Sequence, residues 1–134
     1  MIKLFIHSEV IEDIKLCHKK WYQTLGREMP RIRRLLVIDG KMPGEGPIHH
    51  IKRSELINKI FHARINLPNE NIGKLKGPRI VYIRGELGTL KIVYIGGHKD
   101  KRYDDAHYLV EMIEARFDSG RFIDYGEDID LDGI

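Results

Sequence analysis

Residues 71–103 read NIGKLKGPRIVYIRGELGTLKIVYIGGHKDKRY. Two runs rich in Val, Ile and Tyr, at 79–84 and 90–95, flank GELG at 85–88, a four-residue connection typical of antiparallel hairpins. The entry to the hairpin is basic (Lys74, Lys76, Arg79), and so is its exit (His98, Lys99, Lys101, Arg102). Pairing the two strands brings entry and exit together at the open end. Cations and an imidazole in one place suit the binding and cleavage of a phosphodiester.

Outward from the hairpin, residues 3–7 (KLFIH) read as a short strand. Ser8 offers a helix N-cap, and Val10, Ile14, Cys17, Trp21 and Leu25 recur at helical spacing, so the pattern predicts a helix over about 9–25 with Gly26 as its stop. His18, Lys19 and Lys20 fall on its exposed face. Residues 31–39 (RIRRLLVID) fit either helix or strand, and 40–47 (GKMPGEGP) read as a loop. Ser54 is placed to cap a short helix through Ile60, and 61–67 (FHARINL) alternates like a strand. After the hairpin, Asp104 and Asp105 precede AHYLVEMIEARF, a helix with Leu109, Met112, Ile113 and Phe117 on one face and Gly120 as its end. Residues 121–134 are acidic with interspersed Phe122, Ile123, Tyr125, Ile129 and Leu131, and read either as an ordered appendage or as a frayed tail.

These elements describe one α+β domain over 1–120, with an acidic C-terminal extension at 121–134. A small antiparallel or mixed β-sheet would carry helices packed on one face and leave the other face available. At 134 residues a single core is expected, and 42% hydrophobic with 32% charged residues is ordinary for a soluble domain. The single cysteine, Cys17, excludes an intramolecular disulfide framework and fits a reducing, cytoplasmic setting. All apolar runs are short, so neither a membrane span nor a signal-peptide core is expected.

The net charge of +3 conceals an asymmetry. Residues 1–103 hold 21 Lys and Arg against 10 Asp and Glu, a balance of +11. Residues 104–134 hold 2 against 10, a balance of −8. A basic body points to a polyanionic partner, and the acidic end to a segment that competes for the same surface.

From Gly73 to Tyr82 (GKLKGPRIVY) the chain resembles the RelE/ParE toxin superfamily, in particular its HigB-like branch. The resemblance extends from the alternating 62–68 (HARINLP) through the Gly/Lys loop, the Arg-Ile-Val-Tyr strand, the strand 90–95 and the Lys-rich 98–101 to the last helix, over roughly residues 60–117. The chain is longer than such members, with an apparent insertion at 40–60 and an extra acidic end.

That resemblance implies a RelE-like fold and a metal-independent endoribonuclease that cleaves mRNA by attack of the ribose 2′-hydroxyl on the neighbouring phosphorus. No cofactor is implied. The implied partners are RNA, free or ribosome-bound, and an antitoxin protein that covers the basic surface. His98 is the candidate for proton transfer, Lys101 for stabilising the phosphorane, and Tyr103 for base stacking or proton donation. Arg79, with Lys74, Lys76, Lys99 and Arg102, would grip phosphates, joined by Arg84 if it faces the groove, and Asp100 would orient its neighbours. Members of ParE type poison a topoisomerase, so the alternative is a non-catalytic protein of this fold that binds nucleic acid or a protein target.

Other groupings carry less chemistry. His49, His50 and His62 invite a zinc reading, but adjacent histidines diverge and no Cys pair or HExxH spacing supports it. Residues 124–132 (DYGEDIDLD) suggest calcium, but lack the glycine and terminal-glutamate placement of an EF-hand loop. Gly73-Lys74 lacks the spacing of a P-loop.

Overall fold

A computed structural model describes residues 2–16, 19–67, 77–97 and 104–126, with backbone alone for 19–22. In chain order the elements are β1 (Lys3–His7), α1 (Val10–Lys15), α2 (Lys19–Asp39), β2 (Gly46–Pro47), a 3-10 turn (Ser54–Leu56), β3 (Ile60–Arg64), β4 (Arg79–Arg84), β5 (Thr89–Gly96), α3 (Ala106–Ser119) and β6 (Phe122–Asp124). The strands form one six-stranded sheet ordered β2-β3-β4-β5-β1-β6. β1 runs parallel to β5 and the other neighbouring pairs are antiparallel, which makes this a mixed sheet in an α+β fold.

The hairpin of β4 and β5 is the centre of the sheet. Its register runs from Arg84↔Leu90 to Arg79↔Gly96. The connection closes with Gly85 N–H donating to Thr89 O at 2.8 Å. Leu87 (φ 57°) and Gly88 (φ 72°) both take left-handed backbone there. Between the pairs Val81↔Tyr94 and Tyr82↔Ile92, Val93 has no opposite residue, so β5 carries a bulge.

Alternation along the strands splits the core in two. Leu4, Ile6, Ile80, Tyr82 and Ile92 pack with Val10, Ile14, Leu25, Met29, Ile32 and Leu36 of α1 and α2. Ile60, Val81, Ile83, Val93 and Tyr94 pack with Leu109 and Ile113 of α3. Helices therefore flank both faces, in place of the expected one-sided cover. The mixed look of β4 in the sequence has a simple origin: Arg79 and Arg84 sit at the strand ends, and the four residues between them are buried on either side.

α2 also departs from the sequence reading. It spans 21 residues and passes through Gly26 and Pro30. A mid-helix glycine costs about 1 kcal/mol and a proline about 3. Leu25, Met29, Ile32 and Leu36 lie on one face at no more than 1% exposure. Burial of such side chains contributes about 1.5–3 kcal/mol each, enough to override both breakers. Residues 31–39 are thus helical, and the helix ends at Gly40 (φ 72°), whose N–H donates to Leu36 O at 3.0 Å. The helix expected from Ser54 to Ile60 reduces to a single 3-10 turn, followed by β3.

The last helix matches its sequence signals. The Asp105 carboxylate accepts from Tyr108 N–H at 3.1 Å, and Gly120 (φ 68°) closes it in left-handed backbone. The segment read as an extension begins as part of the domain instead. β6 pairs with β1, and Tyr125, 1% exposed, enters the core with its N–H donating to Leu4 O at 2.8 Å. Residues 127–134 lie outside the described residues.

One buried ion pair joins α1 to α3. Arg116 donates from Nη1 and Nη2 to the two oxygens of Asp13 at 2.5 and 2.8 Å, and from Nη1 to Val93 O at 2.9 Å. The guanidinium thus caps the bulge carbonyl while neutralising Asp13, which is 1% exposed.

Candidate functional site

Three strand ends meet at one edge of the sheet: the C-terminal end of β3, the N-terminal end of β4 and the C-terminal end of β5. Arg64 lies directly opposite Arg79, and Arg79 opposite Gly96. β2 is only two residues long and leaves β3 after the pair Gly46↔His62. A cleft of about 570 Å3 opens beyond that point. His62, Arg64, Asn66 and Arg79 line it from the sheet, Arg31 from α2, and Met42, Pro43, Gly44 and Gly46 from the connection after α2.

Three arginines and a histidine are among the residues that line this cleft. Directly opposed side chains on antiparallel strands stand about 5 Å apart, and like charges there are destabilising. Arg64 and Arg79 are such a pair, and Arg31, ion-paired with Glu28 at 2.6 Å, lines the same cleft. His62, two residues before Arg64 on β3, shares its side of the strand. Burial, then the charges of Arg79 and Arg64, hold the His62 pKa below its ordinary value of 6.5, so the imidazole is neutral at pH 7. A neutral imidazole among guanidiniums can accept a proton beside a bound anion.

The wall formed by the connection after α2 is fixed from behind. Met42 N–H donates to Tyr82 Oη at 3.0 Å, and burial pushes the Tyr82 hydroxyl pKa well above its ordinary value. Arg84 donates to Gly40 O at 3.0 Å and to Glu45 Oε1 at 2.7 Å, with its guanidinium 4.3 Å from the Phe61 ring centroid. Gly46 passes close to His62: a Cβ there would stand 3.8 Å from Nε2.

Of the residues singled out in the sequence, Arg79 lies in the cleft. Arg84 does not join it. It is at the other end of β4, about 16 Å along the strand, and braces the residues 40–45 instead. Lys74, Lys76, His98, Lys99, Asp100, Lys101, Arg102 and Tyr103 lie outside the described residues. The chain leaves for 68–76 after Leu67 and for 98–103 after Gly97, and Gly96 is paired with Arg79.

Sequence reading missed His62, Arg64, Asn66 and Arg31. The alternation of His62 and Arg64 in FHARINL is a usable signal, masked by the likeness of His62 to a metal ligand beside His49 and His50. For Arg31 no local signal existed, since its place depends on how α2 packs.

A second polar cluster has the wrong polarity for nucleophilic catalysis. His7 Nε2 lies 3.0 Å from Ser119 Oγ, but His7 Nδ1 accepts from Glu9 N–H at 3.2 Å. That acceptor role puts the neutral ring's proton on Nε2, which donates to Ser119. Ser119 in turn donates to Arg116 O at 2.9 Å. The imidazole therefore cannot take the hydroxyl proton, and the contact ties β1 to α3.

Among the described residues, no three His, Cys, Asp or Glu side chains gather into a metal-binding group. Among the same residues no helix is long and apolar enough to cross a membrane. Comparison with protein-family models, curated proteins and solved structures finds no match to this chain.

Proposed function

We propose that this chain is an RNA-cleaving domain of RelE/HigB-like type, a cytoplasmic toxin held in check by an antitoxin, which acts on mRNA without a metal ion. The observation that carries the reading is the cross-strand pair Arg64–Arg79 beside the half-buried His62. Two arginines at directly opposed strand positions suit one phosphate with charge-assisted, bidentate contacts. Arg31 lines the same cleft from α2, paired with Glu28.

In the proposed reaction the 2′-oxygen attacks the adjacent phosphorus and the bond from phosphorus to the 5′-oxygen breaks. His62, neutral at pH 7, takes the 2′-hydroxyl proton. A protonated group supplies a proton to the departing 5′-oxygen, and the guanidiniums stabilise the charge gathered on phosphorus oxygens. The products are a 2′,3′-cyclic phosphate and a 5′-hydroxyl. His98, Lys101 and Tyr103 remain the sequence-based candidates for the proton donor and for phosphorane stabilisation.

The test is inducible expression of the wild type beside His62→Gln and His98→Ala/Lys101→Ala, with growth followed and RNA 5′ ends mapped. Growth arrest with new 5′-hydroxyl ends in the wild type, lost in His62→Gln, supports the assignment. Arrest without new ends points to a non-catalytic binding protein of the same fold. Unchanged cleavage by His62→Gln removes His62 from the reaction.

A further inference from the structure

We infer that the outer face of α2 is a second backbone-binding surface, which takes single-stranded RNA as it leaves the cleft; this rests on the RNA reading of the cleft. Arg27, Arg31 and Arg34 stand at i, i+4 and i+7, which places them on one face of the helix. All three are exposed. The opposite face is the buried row Leu25, Met29, Ile32 and Leu36, so the stripe points away from the sheet. At 1.5 Å per residue the three guanidiniums rise from the helix within about 10 Å.

Arg31 belongs to the stripe and to the cleft lining at once, so the two surfaces are continuous. The balancing acid on this face is Glu28, bonded to Arg31 Nε at 2.6 Å. Over Lys19–Asp39 there are six Lys and Arg against Glu28 and Asp39. Arg33 is set apart on the flank, where its Nη1 donates to Gly126 O at 2.6 Å. Like charges at these spacings weaken a helix by about 0.2–0.5 kcal/mol per pair, and the Glu28–Arg31 pair answers one of the three arginines. A chain of phosphates relieves that repulsion, and an extended single strand can follow both the helix face and the cleft.

The experiment measures binding of the full chain to two oligouridylates made uncleavable by 2′-O-methylation, over a range of salt concentrations. One fills the cleft alone; the other is long enough to run along α2. Each phosphate contact on a single strand contributes about 0.7 to the slope of log K against log salt. Arg27→Gln/Arg34→Gln should therefore flatten the long oligonucleotide's slope by about 1.4, and leave the short one's binding unchanged. Both positions are exposed, so an unchanged melting temperature confirms that the variant is folded. Equal slopes for variant and wild type would overturn the α2 surface while leaving the cleft intact. Salt-insensitive or absent binding of the short oligonucleotide by the wild type would overturn the cleft reading and the α2 surface together.

Discussion

Replacing Arg116 by Ala should remove a large share of the stability of this fold. The guanidinium is 6% exposed and makes two bonds to Asp13 and one to the Val93 carbonyl. Its loss takes two bonds from a carboxylate that is 1% exposed and one from a carbonyl at the β5 bulge. Breaking a buried pair from one side costs about 3–5 kcal/mol, against a total of about 5–15 for a domain of this kind. Replacing both partners by apolar side chains, as in Asp13→Leu/Arg116→Met, removes the buried charge altogether. That double variant should recover most of the loss, because desolvation of the pair offsets much of its attraction. Urea unfolding followed by circular dichroism gives the three free energies at constant m-value. An Arg116→Ala cost below about 1 kcal/mol, or a double variant no better than the single one, would refute this account of the pair.

Tyr82→Phe leaves the Met42 N–H without its buried acceptor and should cost about 1–3 kcal/mol in urea unfolding, while loosening the cleft wall. Gly26→Ala should stabilise by up to about 1 kcal/mol, since the site is helical and a Cβ there meets nothing within 4 Å; thermal unfolding checks it. The His7 pKa lies below its ordinary value of 6.5, chiefly through burial and then Arg116. Below that value the unfolded chain binds the proton more readily, so stability is full above pH 6.5 and falls as pH drops through it, by at most about 1.4 kcal/mol per pH unit for this group. The melting temperature of the wild type should therefore fall between pH 7 and pH 5, and His7→Gln should flatten that dependence.

What the sequence made legible was local. The β4–β5 hairpin announces itself through its Ile, Val and Tyr runs around GELG, and α3 through Asp105 and Gly120 at its ends. The continuation of α2 past Gly26 and Pro30 is decided by tertiary burial of Leu25, Met29, Ile32 and Leu36, which no local propensity records. The acidic composition of 121–134 hid β6, whose Phe122 packs edge-on against His7 at 5.0 Å and beneath Lys91 at 5.2 Å. In the cleft, Arg79 was visible beside the hairpin. Its companions Arg64 and Arg31 come from two other elements, and their meeting follows from strand register and helix packing.

The most direct measurement of the central claim is an NMR titration of the His62 imidazole with a 2′-O-methylated oligouridylate, in wild type and in Arg64→Gln/Arg79→Gln. A phosphate bound by the two arginines should shift the His62 ring resonances and raise its pKa, because the anion offsets the arginine charges that, after burial, hold it down. Both effects should vanish in the double variant. Binding that leaves His62 unmoved, or that persists unchanged without Arg64 and Arg79, would place the RNA elsewhere and contradict the account.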